Sequence, residues 1–199
     1  MKLSIRPIVA AAGVLGLTVA SFFLLGGESV KADANGAQAP TSQAAAYCAQ
    51  EGGVVERRTP WYGTNGSPRL RLAGSEQFCA FTASDGSRIY VDLQTLYTTQ
   101  PSLAALAYYA EVQPGSCEGN PASCYCTLLG GSDQFGGTTG AGGGWVRKGS
   151  IDLVLEACIF PDLSTIDSWG LFYHSAGIIR GKDLNGVLRY ADPYDGKKK

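Results

Sequence analysis

Six cysteines and a single histidine are the groups in this 199-residue chain with the most demanding chemistry. Any Ser–His–Asp or Cys–His machinery would have to use His174. No Gly-x-Ser-x-Gly elbow accompanies it. At the end of an aromatic segment its charged form suits a helix C-terminus, so a capping or surface role is expected. Structural zinc wants Cys-x-x-Cys pairs or several histidines, and the chain has neither. Asp162 with Asp167, or Asp85 with Asp92, could form an acid pair, but turn and cap duties explain Asp162 and Asp85 more simply. The stretch from Gly130 to Gly149 holds nine of the 27 glycines. A phosphate loop needs Gly-x4-Gly-Lys-Ser/Thr, and Gly144–Ser150 lacks the lysine after Gly149. The stretch reads as a flexible hairpin loop. No catalytic residue, cofactor or metal is expected.

Aromatic residues beside turn-rich segments are the remaining chemical signal. Trp61 and Tyr62 lie among Pro, Gly and Asn, and Trp145 closes the glycine stretch. Loop aromatics stack on sugars or peptides, or else cover a small core. These three are the candidate ligand-binding residues.

Lys2 and Arg6 precede an uncharged apolar run, Ile8 to Leu25, followed by a small-residue pattern at Ala32-Asp33-Ala34. That is the pattern of a secretory signal peptide over residues 1–34, with an uncleaved membrane anchor as the alternative. Lys+Arg 16 against Asp+Glu 17 gives a net charge of -1 and removes the global basic field that would favour nucleic acid. Charged residues at 17% and hydrophobic residues at 45% describe a chain that folds. On the oxidising side of a membrane, an even number of cysteines points to disulfides; a metal cluster or a redox Cys-x-Cys is the competing reading.

The elements that would hold these residues repeat. Tyr47-Cys48 and Gly52-Gly53 recur as Tyr125-Cys126 and Gly130-Gly131, and Cys79-Ala80-Phe81 recurs as Cys158-Ile159-Phe160. A repeated unit should carry a repeated bridge, so Cys48–Cys79 and Cys126–Cys158 are expected, leaving Cys117–Cys124. The units span 41–113 and 117–190, with a basic tail at 191–199. Asn120-Pro121 reads as an N-cap and N1 pair, and Gly130 as the left-handed stop. The first helix is expected from Thr41 or Ser42. Ser102 caps a helix through about Glu111, and Asp162 or Ser164 caps another through about His174. Val54–Arg58, Leu70–Ala73, Gln77–Phe81, Arg88–Leu93, Trp145–Arg147 and Leu155–Phe160 read as strands. The fold class is α+β: two small tandem repeats, each a short antiparallel sheet packed on one or two helices.

At Asn120-Pro121-Ala122-Ser123, Tyr125-Cys126, Gly130-Gly131, Cys158-Ile159-Phe160-Pro161-Asp162 and Trp169 with Phe172-Tyr173, the second unit resembles a bacterial small-domain family that carries a hemolysin label. The first unit matches through Tyr47-Cys48, Gly52-Gly53, Cys79-Ala80-Phe81 and Asp85-Gly86, then Ala107-Tyr108-Tyr109. The resemblance implies an exported or envelope protein and no particular activity. Leu163 stands where that family has a glycine after the aspartate. The reading that follows is an exported, non-enzymatic binding module for an envelope or extracellular ligand, protein or glycan. Nucleic acid is not an expected partner, and a membrane is met only through an uncleaved leader. The alternatives are an inhibitor of a secreted hydrolase and a secreted hydrolase using His174.

Overall fold

Two helices of the chain end in the same way. The computed structural model describes residues 39–66, 68–133, 140–148, 150 and 153–195, so the expected signal peptide over 1–34 and the end of the expected basic tail lie outside the described residues. Helix α1 (Ala39–Gln50) stops at Gly52, whose φ of +84° is open to glycine without strain. The Gly53 amide then donates back to the Cys48 carbonyl at 2.8 Å. Helix α4 (Pro121–Leu128) stops at Gly130 with φ +86°, and the Gly131 amide donates to the Cys126 carbonyl at 2.9 Å. The Asn120 carboxamide caps α4 as expected, accepting from the amides of Ala122 and Ser123.

The second glycine of each pair has a different task. A Cβ on Gly53 would lie 2.2 Å from Cys79 Sγ and 2.9 Å from Cys48 Sγ; on Gly131 it would lie 2.3 Å from Cys158 Sγ and 3.0 Å from Cys126 Sγ. Each helix-to-strand bridge lies directly over bare backbone. Cys48–Cys79 and Cys126–Cys158, the pairings read from the matched positions, are closed, as is the remaining pair Cys117–Cys124, and no described cysteine is free. Three closed bridges suit an oxidising compartment.

Past α1 come β1 (Val54–Tyr62), β2 (Leu70–Arg71), β3 (Glu76–Thr82), β4 (Arg88–Asp92), α2 (Leu93–Tyr97) and α3 (Leu103–Ala110). After α4 follow β5 (Gly143–Arg147), β6 (Val154–Leu155), β7 (Ala157–Ile159), β8 (Thr165–Asp167) and α5 (Ser168–Ser175). The strands form one antiparallel sheet in the order β6-β5-β1-β3-β4-β8-β7, with β2 paired to β1. Two separate sheets were expected; instead strands of the second half flank those of the first on both sides. In register, Cys79 faces Val91, Val91 faces Ile166, and Ile166 faces Cys158, so one row crosses four strands from bridge to bridge. Helices cover that face, α1 against α2 and α4 against α5. The core there includes Phe81, Val91, Leu96, Tyr108, Tyr109, Ile166 and Leu171. The end of the second half also covers the first. Tyr47 donates to the Val187 carbonyl, Tyr109 to the Tyr190 carbonyl, and Leu184 and Leu188 are buried.

The element boundaries carry three corrections. Arg88–Leu93 is not all strand, because the Asp92 carboxylate caps α2 from Leu93. Thr165–Asp167 is strand, so α5 begins at Ser168 under Asp167 and not under Asp162 or Ser164. Leu155–Phe160 divides at Glu156 into β6 and β7. In place along the chain α2 follows Asp92 as α5 follows Asp167, so the segment 103–109, expected to match 168–173, is not the helix that follows the first capping aspartate.

The turns of the two hairpins match as well. Ser87 N donates to Asp85 Oδ1 at 2.8 Å, and Ser164 N donates to Asp162 Oδ1 at 3.1 Å. Between them sit Gly86 at φ +82° and Leu163 at φ +66°. A leucine held left-handed costs about 1–2 kcal/mol, and this one is 79% exposed, with little packing to offset the cost. Leu163→Gly is expected to leave stability unchanged or raise it, the backbone relief being partly cancelled in the unfolded chain. Gly131→Ala, by contrast, should lower stability by about 1–3 kcal/mol through the collision with Cys158 Sγ. Thermal unfolding of the oxidised variants checks both signs.

Candidate functional site

Trp61 and Tyr62 are strand residues and not loop residues, because β1 continues through Pro60. Pro60 sits in the gap between two pairings on one edge of β1: β3 ends at Arg58↔Glu76, and β2 begins at Trp61↔Arg71. On the other edge β5 pairs Pro60 with Trp145, Trp61 with Gly144 and Tyr62 with Gly143. Part of the glycine stretch is therefore strand, not hairpin loop. Side chains alternate along β1, so Trp61 points to one face of the sheet while Tyr62 and Trp145 share the other. The three candidate residues do not form one site.

Trp145 meets Phe78 edge-on, ring centroids 5.6 Å apart, beside Ala80, Tyr90, Leu155 and Ala157. It is a packing residue of the second, smaller core. Trp61 has a different setting. Its indole N–H donates to Thr59 Oγ1 at 3.1 Å, which fixes the ring, and the residue facing it on β5 is a glycine. Among the described residues no other ring and no cation stacks on it. It forms a wall of a cleft of about 690 Å³ with Val146 beneath and Arg57, Arg71, Arg147 and Lys148 around it. Arg57 donates to Ser75 Oγ at 2.9 Å, and Arg147 reaches Glu56 Oε1 at 3.3 Å. Arg71 and Lys148 have no carboxylate within salt-bridge distance among the described residues. The cleft thus joins an apolar floor and an open aromatic face to a concentration of positive charge.

A second cavity, of about 440 Å³, lies on the opposite face near Arg58, Glu156, Trp169, Tyr173 and Arg180. Its groups are largely held by one another. Arg58 is 2% exposed, donates to Glu56 Oε2 and to the carbonyls of Trp145 and Leu153, and lies 4.5 Å above the Tyr90 ring. Glu156 Oε2 accepts from the Trp169 indole and from Asn120 Nδ2, both at 2.8 Å. Trp169 stacks on Tyr173, whose ring also carries Arg180 at 5.0 Å. Arg180 Nε is the one buried nitrogen there without a hydrogen bond among the described residues. Arg88 also lines the cavity and has no hydrogen bond or ion pair among the described residues, while Arg58, Glu156, Trp169 and Tyr173 form a packed polar network.

His174 is not on the surface. It is 7% exposed in the last turn of α5, stacked on Tyr108 at 3.8 Å and 9°, with Nε2 at 3.6 Å from Glu111 Oε1. The acid pairs do not form as imagined. Asp85 and Asp162 hold hairpin turns, while Asp92 and Asp167 each end a strand and cap a helix. No group of three metal-ligating side chains occurs among the described residues.

No family model, curated protein or solved structure matches the chain, so its functional reading rests on its own residues. The cations of the Trp61 cleft escaped the sequence reading. Their signal was present in Arg57-Arg58, Arg69-x-Arg71 and Arg147-Lys148, basic pairs that flank each aromatic candidate. What was missing was the strand register that brings them together.

Asp92 and Asp167 carry a measurable consequence. Burial pushes each carboxyl up to about 6, against the hydrogen bonds that the ionised form accepts. An unfolded aspartate titrates near about 3.9. Between about pH 4 and 6 the folded chain therefore holds protons that the unfolded chain has released, and this contribution to stability is lost as pH rises through about 6. The unfolding midpoint is expected to fall from about pH 5 to about pH 7.5. Asp167→Asn should flatten that slope. Asp92→Asn should also lower stability by about 1–3 kcal/mol, because Thr165 N–H would face an amide NH₂. Thermal melts across pH decide it.

Proposed function

We propose that this chain is an exported, disulfide-stapled binding module without catalytic activity, and that the Trp61 cleft is where it holds its ligand. The observation that carries the reading is the half-buried, unstacked Trp61 with Arg71 across from it and Lys148 at the other end of the same cleft, two cations with no carboxylate of their own among the described residues, in a chain whose net charge is -1. A fixed, unstacked indole on a sheet loses little conformational freedom on binding. Exposed aromatics ringed by polar groups are typical anchors of binding surfaces. The three disulfides support residence outside the reducing compartments.

We also read the two halves as copies of one unit of the hemolysin-labelled small-domain type. Support comes from the repeated sequence of helix, glycine pair, bridge, hairpin and capping aspartate, and from the row that runs Cys79, Val91, Ile166, Cys158. In this reading the two copies pair through β4 with β8 and through β1 with β5.

Oxidised protein carrying a C-terminal affinity tag and titrated onto envelope preparations tests the site. Trp61→Ala should weaken retention tenfold or more, about 2 kcal/mol, as loss of a central anchor does, with its unfolding midpoint nearly unchanged. Equal retention of Trp61→Ala and the parent would place the ligand elsewhere.

A further inference from the structure

We infer, resting on the reading of the Trp61 cleft as a binding site, that its ligand is an anionic polysaccharide: sugar rings that carry carboxylates, one ring lying against the indole. Three observations lead there. The first is the spacing of charge. Arg71 stands directly across from Trp61 on β2, whereas Arg57 lies four residues back along β1, about 13 Å at the usual strand rise. Lys148 follows Arg147, which faces Arg58, so it stands at the Arg57 end of the cleft. Cations therefore occupy both ends, and a ligand that meets them together is a chain of units, not one ring or one small anion.

The second is charge complementarity. Glu56 is the acid held close to these cations, and its two oxygens are already shared between Arg58 and Arg147. Arg71 and Lys148 are left for an outside anion, and a guanidinium is well shaped for a carboxylate. The third is the indole itself. A plain polyphosphate offers charge but no ring to lie on Trp61, and a neutral glycan offers rings but leaves the cations solvated. An anionic glycan uses both parts of the cleft. Val146, 3% exposed, gives the ring edge an apolar floor.

The test uses the oxidised exported protein with four probes: oligogalacturonate, its methyl-esterified form, inorganic polyphosphate and a single-stranded DNA oligomer. Calorimetry or tryptophan fluorescence should show oligogalacturonate bound at low salt and esterification weakening it tenfold or more. Trp61→Ala should weaken it by a similar factor. Arg71→Gln with Lys148→Gln, both at exposed positions that leave the fold in place, should remove most of the affinity and most of its salt sensitivity. Polyphosphate or DNA binding as tightly as oligogalacturonate would overturn the proposal in favour of bare electrostatics or a nucleic-acid site. Failure of every probe, while Trp61→Ala still abolishes envelope retention, would overturn the polysaccharide assignment and leave the cleft as the site. Retention unaffected by Trp61→Ala would bring down the cleft reading itself.

Discussion

A carboxylate from one half of the chain holds an amide from the other. Asp92 is 4% exposed, and its Oδ1 accepts the amides of Gln94 and Thr95, both at 2.9 Å, to start α2. Its Oδ2 accepts the Thr165 amide at 2.7 Å, seventy-three residues away, and the Thr95 hydroxyl as well. β4 and β8 meet there through one register pair, Val91 and Ile166. A seam that short needs a fixed point, and a buried charge with several donors supplies it, because leaving it unsatisfied would cost more than a lost neutral hydrogen bond. Around it the two hairpins align, and with them the helices that cover their shared face.

The far side of the sheet answers to a different constraint. β1 is long enough to serve three neighbours: β3 on its first part, β2 and β5 on its second. Bare glycine backbone on β5 stands opposite Trp61, so no β-carbon of its register partner faces the indole. Gly144, at φ +146°, has no room for a Cβ because the Leu155 carbonyl would be 2.6 Å away, so β6 also closes in. The cleft is thus made by what β5 lacks as much as by what β1 carries. The register puts it on the face of β1 opposite Arg58, and so away from the packed network that joins Arg58, Tyr90 and Trp169.

Local signals in the sequence were legible. Asn120-Pro121 and Ser102 start helices, and Gly52 and Gly130 stop them, because caps depend on a few neighbouring residues. Two of the disulfide pairings were legible because Tyr-Cys and Cys-x-Phe recur at nearly equal spacing, and Cys117–Cys124 was the pair that remained. What was hidden is non-local. Nothing near Val146 says that it flanks β1, and nothing near Ile166 says that it meets Val91. Pro60 hid the second half of β1, since a proline in an extended run reads as its end unless the neighbouring pairings are known to leave a gap. The burial of His174 was equally out of reach: an imidazole in a last turn looks like a cap until Tyr108, from a helix sixty residues earlier, is found stacked on it.

All three covalent bridges close within a half, and none crosses from one half to the other. The halves are joined instead by strand pairing, by the Asp92 contact and by the return of the segment around Val187 onto α1. The molecule is therefore two ring-closed pieces on one string, tied at the connection between α3 and α4. Cutting that string leaves each piece internally stapled and held to the other by edges already in register. The same edges are indifferent to which molecule supplies the complementary piece, so at high concentration the arrangement lends itself to reciprocal exchange between two chains, a dimer that needs no contact the monomer lacks.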